Sequence, residues 1–325
     1  MNLQQWYLQY KHRKANAKKP ETIGEHLIAW VKTIVWALTV VTIVNGLALA
    51  SFTVPTGSME RTVMAGDYLF VNKAIFGPST PQIIPFLNIP LPYFKLPAIV
   101  DPKQGDVIVF VFPGNRDQVK ADNFEYYLKR CVAVAGDTLQ LINQKVYVNG
   151  KEFAMPEHAQ FLTASPAQRL REAEESRYQT FPPGRQFTRD NWGPMRIPAK
   201  GDVIKLDQSN ILEWSTFIRR EGHNVDIGRL LIDGQPATSY TVERDYVFGM
   251  GDNRDNSLDS RFWGFIPKES VVGTPMMVYW SWPVESRKTV TVRRPDGMYE
   301  IHSVPTSFSE KLAGIRWNRL FTIIH

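Results

Sequence analysis

The stretch from Thr33 to Phe52 consists of twenty predominantly apolar residues and contains no charge. As an α-helix it would be about 30 Å long, which matches the hydrocarbon core of a bilayer. Trp30 and Lys32 stand at its start, where an indole ring and a long amine are favoured at the membrane interface. The pattern predicts one transmembrane helix over residues 31–52.

Basic residues cluster before this predicted helix, namely Lys11, Arg13, Lys14, Lys18 and Lys19. By the positive-inside rule, residues 1–30 form a cytoplasmic basic lead and everything after Phe52 is exported. A cleaved signal peptide is an alternative, since Ala48-Leu49-Ala50 has the form of a cleavage site, but the basic lead and the apolar run are both longer than in a typical signal peptide. A nucleic-acid-binding tail is a second alternative, which the adjoining apolar run disfavours.

After the anchor, short β-prone runs alternate with turn residues, which predicts mostly antiparallel strands. The predicted strands cover Tyr68–Asn72, Val107–Phe112, Tyr127–Val134, Thr138–Ile142, Lys145–Val148, Arg229–Ile232, Tyr240–Phe248, Thr274–Tyr279 and Lys288–Arg293. Seven prolines between Pro78 and Pro102 indicate an irregular loop.

The middle of the chain has a different character. A charged segment opens at Ser165-Pro166 and continues to Arg177, and an amphipathic run capped by Ser209 ends near Gly222, so two helices are predicted there. We therefore predict a mainly β fold: an antiparallel core formed by residues 53–150 and 241–325, with an inserted α+β region over residues 151–240.

Composition narrows the class of protein. The 325 residues suffice for about two domains, and 43% hydrophobic with 22% charged residues is ordinary for a folded chain. The single cysteine, Cys131, excludes an intramolecular disulfide and a cysteine-based zinc site. The net charge of +6 suits an anionic partner, but the position of the basic cluster next to an apolar run favours a membrane.

No metal site or cofactor is predicted. The sequence has no HExxH motif and no close His/Cys pairs, and the four histidines after the anchor are isolated: His158, His223, His302 and His325. The string Gly251–Arg261 resembles a calcium loop only superficially, because Arg254 would occupy a ligand position. A rigid, salt-bridged turn is the better interpretation of that string.

Three stretches are more specific together than any is alone. They are Phe52-Thr53-Val54-Pro55-Thr56-Gly57-Ser58-Met59, then Tyr127-Leu128-Lys129-Arg130 leading to Gly136-Asp137, and GDNRDNSLDSRFWG over residues 251–264. With Gly105-Asp106-Val107-Ile108-Val109-Phe110, their order and spacing resemble those of the bacterial type I signal peptidases. These are membrane-anchored serine endopeptidases with a Ser–Lys dyad, and the resemblance covers about residues 30–150 and 240–280.

The resemblance implies a role for each matching residue. Ser58 corresponds to the nucleophile, Lys129 to the general base, Ser257 to the hydroxyl that orients the lysine amine, and Thr56 to the hydroxyl that helps the Ser58 amide bind the oxyanion. The supporting polar network corresponds to Arg130, Asp252, Arg254, Asp259 and Arg261. The shallow pockets for small substrate residues at the −1 and −3 positions correspond to Val54, Met59, Tyr127 and Leu128. The departures, Arg61 and Ala135 in place of prolines and Cys131 in place of an apolar residue, remove no catalytic group.

Elementary chemistry is consistent with this assignment. A lysine with an ordinary pKa of about 10.4 becomes a good base near pH 7 only if burial lowers that pKa by two to three units. The apolar neighbours Leu128, Cys131 and Val132 can supply such burial. The alternatives are an exposed edge-strand lysine for Lys129 and an ordinary turn serine for Ser58.

The implied function is removal of N-terminal signal peptides from exported preproteins at the outer face of the cytoplasmic membrane, through an acyl-enzyme intermediate. The expected partners are signal peptides and membrane lipids, not nucleic acid. A penicillin-recognising acyltransferase is disfavoured because no serine starts an SxxK motif, and the intact Ser58, Lys129 and Ser257 argue against an inactive scaffold. Ile83–Leu96, Trp280, Trp282 and the segment 315–321 are predicted to contact lipid headgroups.

Overall fold

The computed structural model describes residues 5, 7, 22–79, 83–84, 89–90, 94–161, 165–284, 287–293 and 299–325. Its α-helices are α1 (Ile23–Leu47), α2 (Pro166–Ser176), α3 (Ile211–Arg220), α4 (Ser260–Trp263) and α5 (Phe308–Ala313), with 3-10 turns at Lys268–Ser270 and Trp317–Arg319. Its strands are β1 (Leu49–Thr53), β2 (Asp67–Asn72), β3 (Ile83–Ile84), β4 (Ile89–Pro90), β5 (Val107–Val111), β6 (Tyr126–Val134), β7 (Thr138–Ile142), β8 (Lys145–Val148), β9 (Lys151–Glu152), β10 (Trp192–Arg196), β11 (Val203–Lys205), β12 (Val225–Asp226), β13 (Leu231–Ile232), β14 (Gln235–Pro236), β15 (Ser239–Thr241), β16 (Tyr246–Met250), β17 (Ile266–Pro267), β18 (Val271–Ser281), β19 (Arg287–Arg293) and β20 (Tyr299–Pro305).

Helix α1 is the predicted apolar helix, but its bounds differ from the prediction. It starts at a capping box in which Thr22 and Glu25 exchange hydrogen bonds of 3.3 Å. Its first twenty residues, Ile23–Thr42, are long and apolar enough to cross a membrane. The predicted continuation to Phe52 is wrong, because Leu49–Thr53 forms β1 and pairs with β2. Apolar residues suit both a membrane helix and a half-buried strand, so hydropathy alone could not locate this change.

The main sheet has seven strands in the order β1-β2-β18-β5-β6-β16-β17, and every neighbouring pair is antiparallel. Strand β5 is buried at nearly every position because apolar clusters cover both faces of the sheet. The predicted fold class, mainly antiparallel β after an N-terminal apolar helix, is confirmed.

The register of the central strands positions the site. Lys129 on β6 lies opposite Ile108 on β5, and the next residue, Arg130, lies opposite Met250 at the end of β16. The string 251–261 therefore leaves the sheet directly beside the strand that carries Lys129.

The middle region contains its own small sheets and both predicted helices. Helix α2 begins where the charged segment was predicted to open, and Ser165 caps it through a 3.2 Å bond from the Gln168 amide. The predicted Ser209 cap is wrong: Asn210 occupies the N-cap of α3, and the Ser209 hydroxyl instead bonds Asp207. The predicted strand over 240–248 is two strands, β15 and β16.

The predicted boundary of the insertion at residue 150 falls within one small sheet. Strands β7, β8 and β9 pair in sequence, and β10 from the insertion pairs with β7. One apolar cluster joins Leu139 and Val146 of this sheet to Trp192, Phe217 and Phe248. The insertion thus packs directly against the main sheet at β16, and the domain bounds stay a prediction.

Candidate active site

The predicted nucleophile and base lie in contact. Ser58 follows β1 in a turn closed by the Glu60 amide, which donates to the Gly57 carbonyl at 3.1 Å. Lys129 projects from the middle of β6, and its Nζ donates to Ser58 Oγ at 2.6 Å. Residues 71 positions apart in the sequence are thereby joined in one hydrogen bond.

Lys129 is buried, with 3% of its surface exposed. Burial lowers the pKa of its amine to about 8; Asp259 and Asp252 act to raise this pKa, and Arg261 acts to lower it. A buried amine is poorly solvated when charged, so the neutral form is favoured. At neutral to mildly alkaline pH a useful fraction of Lys129 is therefore free to accept a proton, as a general base requires.

The two predicted auxiliary hydroxyls have different environments. Thr56 is exposed and lines the cleft beside Ser58. The Ser257 hydroxyl is buried and has no hydrogen-bond partner in the described part of the chain, so its predicted bond to Lys129 is not formed here. Among the same residues the Ser58 main-chain N–H makes no hydrogen bond either, which leaves it as a free donor. The roles of Thr56 and Ser257 stay predictions.

Arg130 and Asp252 form the first half of the polar network. Arg130 donates from Nε to Oδ1 at 2.9 Å and from Nη2 to Oδ2 at 2.8 Å, and both side chains are buried. Thr62 donates its hydroxyl to Asp252 at 2.6 Å. Two other chain segments, those of Thr62 and Arg130, therefore converge on this carboxylate.

Asp259 and Arg261 form the second half. Arg261 binds Asp259 through Nε and Nη2 at 2.9 Å each, and the Gly251 amide donates to Asp259 at 3.0 Å. Burial acts to raise the pKa of Asp259, but the charge and hydrogen bond of Arg261, the Gly251 amide and the charge of Lys129 together hold the pKa below its ordinary value. Burial lowers the pKa of Arg254, the fifth network residue, to about 10. The structure thus gathers all five predicted network residues around one loop.

Main-chain contacts that the sequence did not reveal connect this loop to Ser58 and to the insertion. The Asn253 amide donates to the Ser58 carbonyl at 3.0 Å. On its other side, Gln160 of the insertion donates its amide to the Asp252 carbonyl at 2.8 Å and accepts from the Arg254 amide at 2.9 Å. Main-chain pairing between distant segments leaves no side-chain signal in one sequence, so these contacts could not be predicted.

A cleft of about 750 Å³ leads to Ser58 and Lys129. It includes all four predicted pocket residues, Val54, Met59, Tyr127 and Leu128. Sequence reasoning missed further lining residues, including Phe52, Leu69, Val109, Tyr126, Asn256 and Leu258. Phe52 and Tyr126 meet edge to face, with ring centroids 4.9 Å apart. The walls are mainly apolar, and besides Ser58 and Lys129 they include residues 52–57 and the part of β6 that precedes Lys129.

Comparisons with known proteins agree with this class of site. The family model described as "Signal peptidase, peptidase S26" matches residues 27–280. The chain therefore belongs to the S26 family of signal peptidases, and the predicted family and class of enzyme are confirmed.

Relatives named signal peptidase I span most of the chain. The protein from Helicobacter pylori strain J99 is 27% identical over 304 residues, covering 90% of each chain. Those from Pseudomonas aeruginosa and Aquifex aeolicus are 27% and 28% identical and cover 79% and 73% of this chain and 74% and 77% of their own. A crystal structure of a signal peptidase I from Enterococcus faecalis V583 matches 54% of this chain and 97% of its own, with 19% identity and a TM-score of 0.24.

Proposed function

We propose that the chain is a membrane-anchored serine endopeptidase that removes N-terminal signal peptides from exported preproteins. One observation carries the proposal: the buried Lys129 amine lies 2.6 Å from the Ser58 hydroxyl in a mainly apolar cleft. A serine hydroxyl becomes a nucleophile when an adjacent base can take its proton. Lys129 is placed to be that base.

The reaction follows from these positions. Ser58 Oγ attacks the scissile carbonyl carbon while Lys129 Nζ takes the hydroxyl proton. The oxyanion accepts hydrogen bonds from the Ser58 N–H and the Thr56 hydroxyl. Lys129 then gives its proton to the leaving amine, which leaves the signal peptide as an ester on Ser58. Lys129 next takes a proton from water, and the hydroxide attacks the ester carbonyl. Lys129 then returns that proton to Ser58 Oγ as the signal peptide leaves, which restores both residues.

The cleft accounts for the proposed substrate. An extended segment lying between residues 52–58 and β6 would place small side chains against Val54, Met59, Tyr127 and Leu128. Met59 is almost fully buried in the cleft floor, which leaves little depth for a larger side chain. We infer that residues −1 and −3 of the signal peptide occupy this part of the cleft.

The proposed location is the outer face of the cytoplasmic membrane, with the N-terminus in the cytoplasm. The basic residues before α1 and the positive-inside rule support that orientation. Strand β1 begins two residues after α1 ends and leads within five residues to Ser58, so the nucleophile is tethered near the bilayer.

The described part of the predicted lipid-contact surface lies along β18. Trp317 and Phe321 are exposed, while Trp280 and Trp282 are half-buried and pack edge to face with centroids 5.9 Å apart. Half of Ile83–Leu96 lies outside the described residues. The exposed ring of Trp317, 6.1 Å from Trp280, supports lipid contact at this edge.

The test is cleavage of a purified preprotein in detergent. Wild type should cut once, at the end of the signal peptide, whereas Ser58→Ala and Lys129→Ala should not cut while keeping the thermal stability of the wild type. Lys129→Arg should also fail, because a guanidinium stays protonated in a protein. A wild-type protein that is folded and does not cleave would favour the inactive scaffold.

A further inference from the structure

A second cavity, of about 330 Å³, lies beside the cleft. Its walls come from three segments: residues 115–118 after β5, Tyr178 and Gln179 of the insertion, and Leu258 of the network loop with Phe262 and Trp263 of α4. The mechanism above uses none of these groups. Leu258 also lines the first cleft, so the two spaces share one wall.

The position of Leu258, which both cavities share, indicates the order in which a bound polypeptide would occupy them. The first cleft is lined by Phe52 and Tyr126 as well as by Ser58 and Lys129. Tyr126 lies three residues before Lys129 on β6, whereas Leu258 directly follows Ser257, whose side chain lies beside Gly251 and near the Ser58 carbonyl. A chain whose signal-peptide side lies along Phe52 and Tyr126 would therefore reach Leu258 beyond the cleaved bond.

The walls of the second cavity are held in place. Arg220 of α3 donates to three carbonyl oxygens around it: to Trp263 at 2.8 Å, to Asn115 at 2.6 Å and to Gln118 at 3.0 Å. Arg116 donates to the Tyr178 carbonyl at 2.6 Å and thereby ties the insertion to the opposite wall. A cavity fixed in this way is preformed, so a ligand does not have to order it.

One group in the wall lacks a partner. Trp263 is 1% exposed, and its indole N–H has no hydrogen bond within the described residues. Indole is a donor only, and a buried donor without an acceptor is unfavourable. The nitrogen is closed to solvent here, so a bound carbonyl oxygen would satisfy it after a small movement of the ring toward the cavity. The amide side chains of Gln118 and Gln179 offer further polar contacts suited to a peptide main chain.

We propose that the second cavity binds the polypeptide substrate on the far side of the cleaved bond, that is, the first residues of the mature protein in extended form. A main-chain carbonyl of that segment accepts the Trp263 N–H, and the Tyr178 ring covers it. This inference rests on the proposed function, which places the signal-peptide side in the first cleft. The insertion thereby contributes to substrate binding through Tyr178 and Gln179.

Two peptides test the proposal. Both have the same residues up to the second position after the cleaved bond; the short peptide ends there, and the long one continues for about eight neutral residues. Wild type should cleave the long peptide with the higher kcat/KM. Tyr178→Ala and Trp263→Phe should each lower kcat/KM for the long peptide by about threefold to tenfold, the range for one lost contact, and leave the short peptide unchanged.

Controls separate binding from folding. Trp263 is packed in the core, so thermal unfolding is measured for each variant; Tyr178 is largely exposed and keeps the test valid if Trp263→Phe is unstable. Leu170→Ala, an exposed position on α2 that does not line the cavity, should behave as wild type on both peptides. Equal cleavage of the long and short peptides by wild type, or equal losses on both in Tyr178→Ala, would overturn the inference and leave the proposed function standing. Failure of wild type to cleave either peptide would overturn the proposed function, and the inference with it.

Discussion

Arg130 holds Asp252 through two parallel hydrogen bonds, Nε to Oδ1 at 2.9 Å and Nη2 to Oδ2 at 2.8 Å. The pair joins β6, one residue after Lys129, to the loop that packs on Ser58. Arg130 also donates to the Gly105 carbonyl at 2.6 Å and to the His325 carbonyl at 3.1 Å. Its guanidinium therefore connects four separate parts of the catalytic region.

Removing Arg130 should strongly destabilise the fold. Arg130→Met leaves the fully buried Asp252 carboxylate without its charged partner, and breaking a buried pair on one side costs about 3–5 kcal/mol. The control is Arg171→Met, because the Arg171–Glu175 pair is exposed and such pairs contribute less than about 1 kcal/mol. Urea unfolding gives both free energies of unfolding. Similar losses in the free energy of unfolding for the two variants would show that the buried pair stabilises the fold no more than the exposed pair does.

Gly251 should be indispensable for activity because it lies where the loop meets Ser58. A Cβ there would lie 2.6 Å from the Ser58 carbonyl oxygen and would overlap the Ser257 side chain. Gly251→Ala must therefore shift the Ser58 turn or the loop, and a shift of about 1 Å can cost about 100-fold in rate. Gly228→Ala, whose nearest contact would be 3.5 Å, is the matched control. Peptide cleavage rates measure both; unchanged kcat in Gly251→Ala would contradict this packing.

The point at which the N-terminal anchor is deleted should determine whether the truncated protein is active. A version lacking residues 1–47 keeps β1, whereas one lacking residues 1–52 loses four of its five positions, including buried Ala50 and the cleft residue Phe52. The shorter deletion should cleave peptides with near full-length kcat/KM and the longer one should lose activity and thermal stability. Equal behaviour of the two proteins would mean that β1 contributes nothing to the site.

His223 should make the stability of the insertion depend on pH. Hydrogen bonds to Asp233, at 2.6 Å, and to Glu243, at 2.9 Å, raise the pKa of its imidazole. Because the folded pKa is raised, the stabilisation is fully present below the ordinary value of about 6.5 and is lost as pH rises through the higher folded value. The urea midpoint of wild type minus that of His223→Gln should decrease as pH rises across that window. His158→Gln, at a site without a carboxylate partner among the described residues, should show no such trend.

The sequence predicted elements and reacting groups better than their boundaries and contacts. Alternating patterns located β2, β5, β6, β7 and β8 because each strand has one or two buried faces. The end of α1 was missed because the residues after Leu47 are as apolar as the helix itself. Ser58 and Lys129 could be named from the resemblance, and the register of β6 then explains how they meet.

What the sequence could not supply depends on long-range packing. Gln160 joins the catalytic loop through its main chain, so any residue other than proline could make the same bonds. The second cavity needs Asn115, Tyr178 and Trp263 to converge from three segments. Neither arrangement has a local motif.

The pH dependence of kcat/KM for peptide cleavage tests the central claim most directly. Because Lys129 must be neutral to accept the Ser58 proton and burial lowers the pKa of its amine to about 8, the rate should fall as pH drops through about 8. The same acid limb should be present when His158, His223, His302 and His325 are all replaced by Ala, since no histidine takes part. A limb that moves with the histidine substitutions, or an activity that shows no acid limb between about pH 6 and pH 9, would contradict Lys129 as the base.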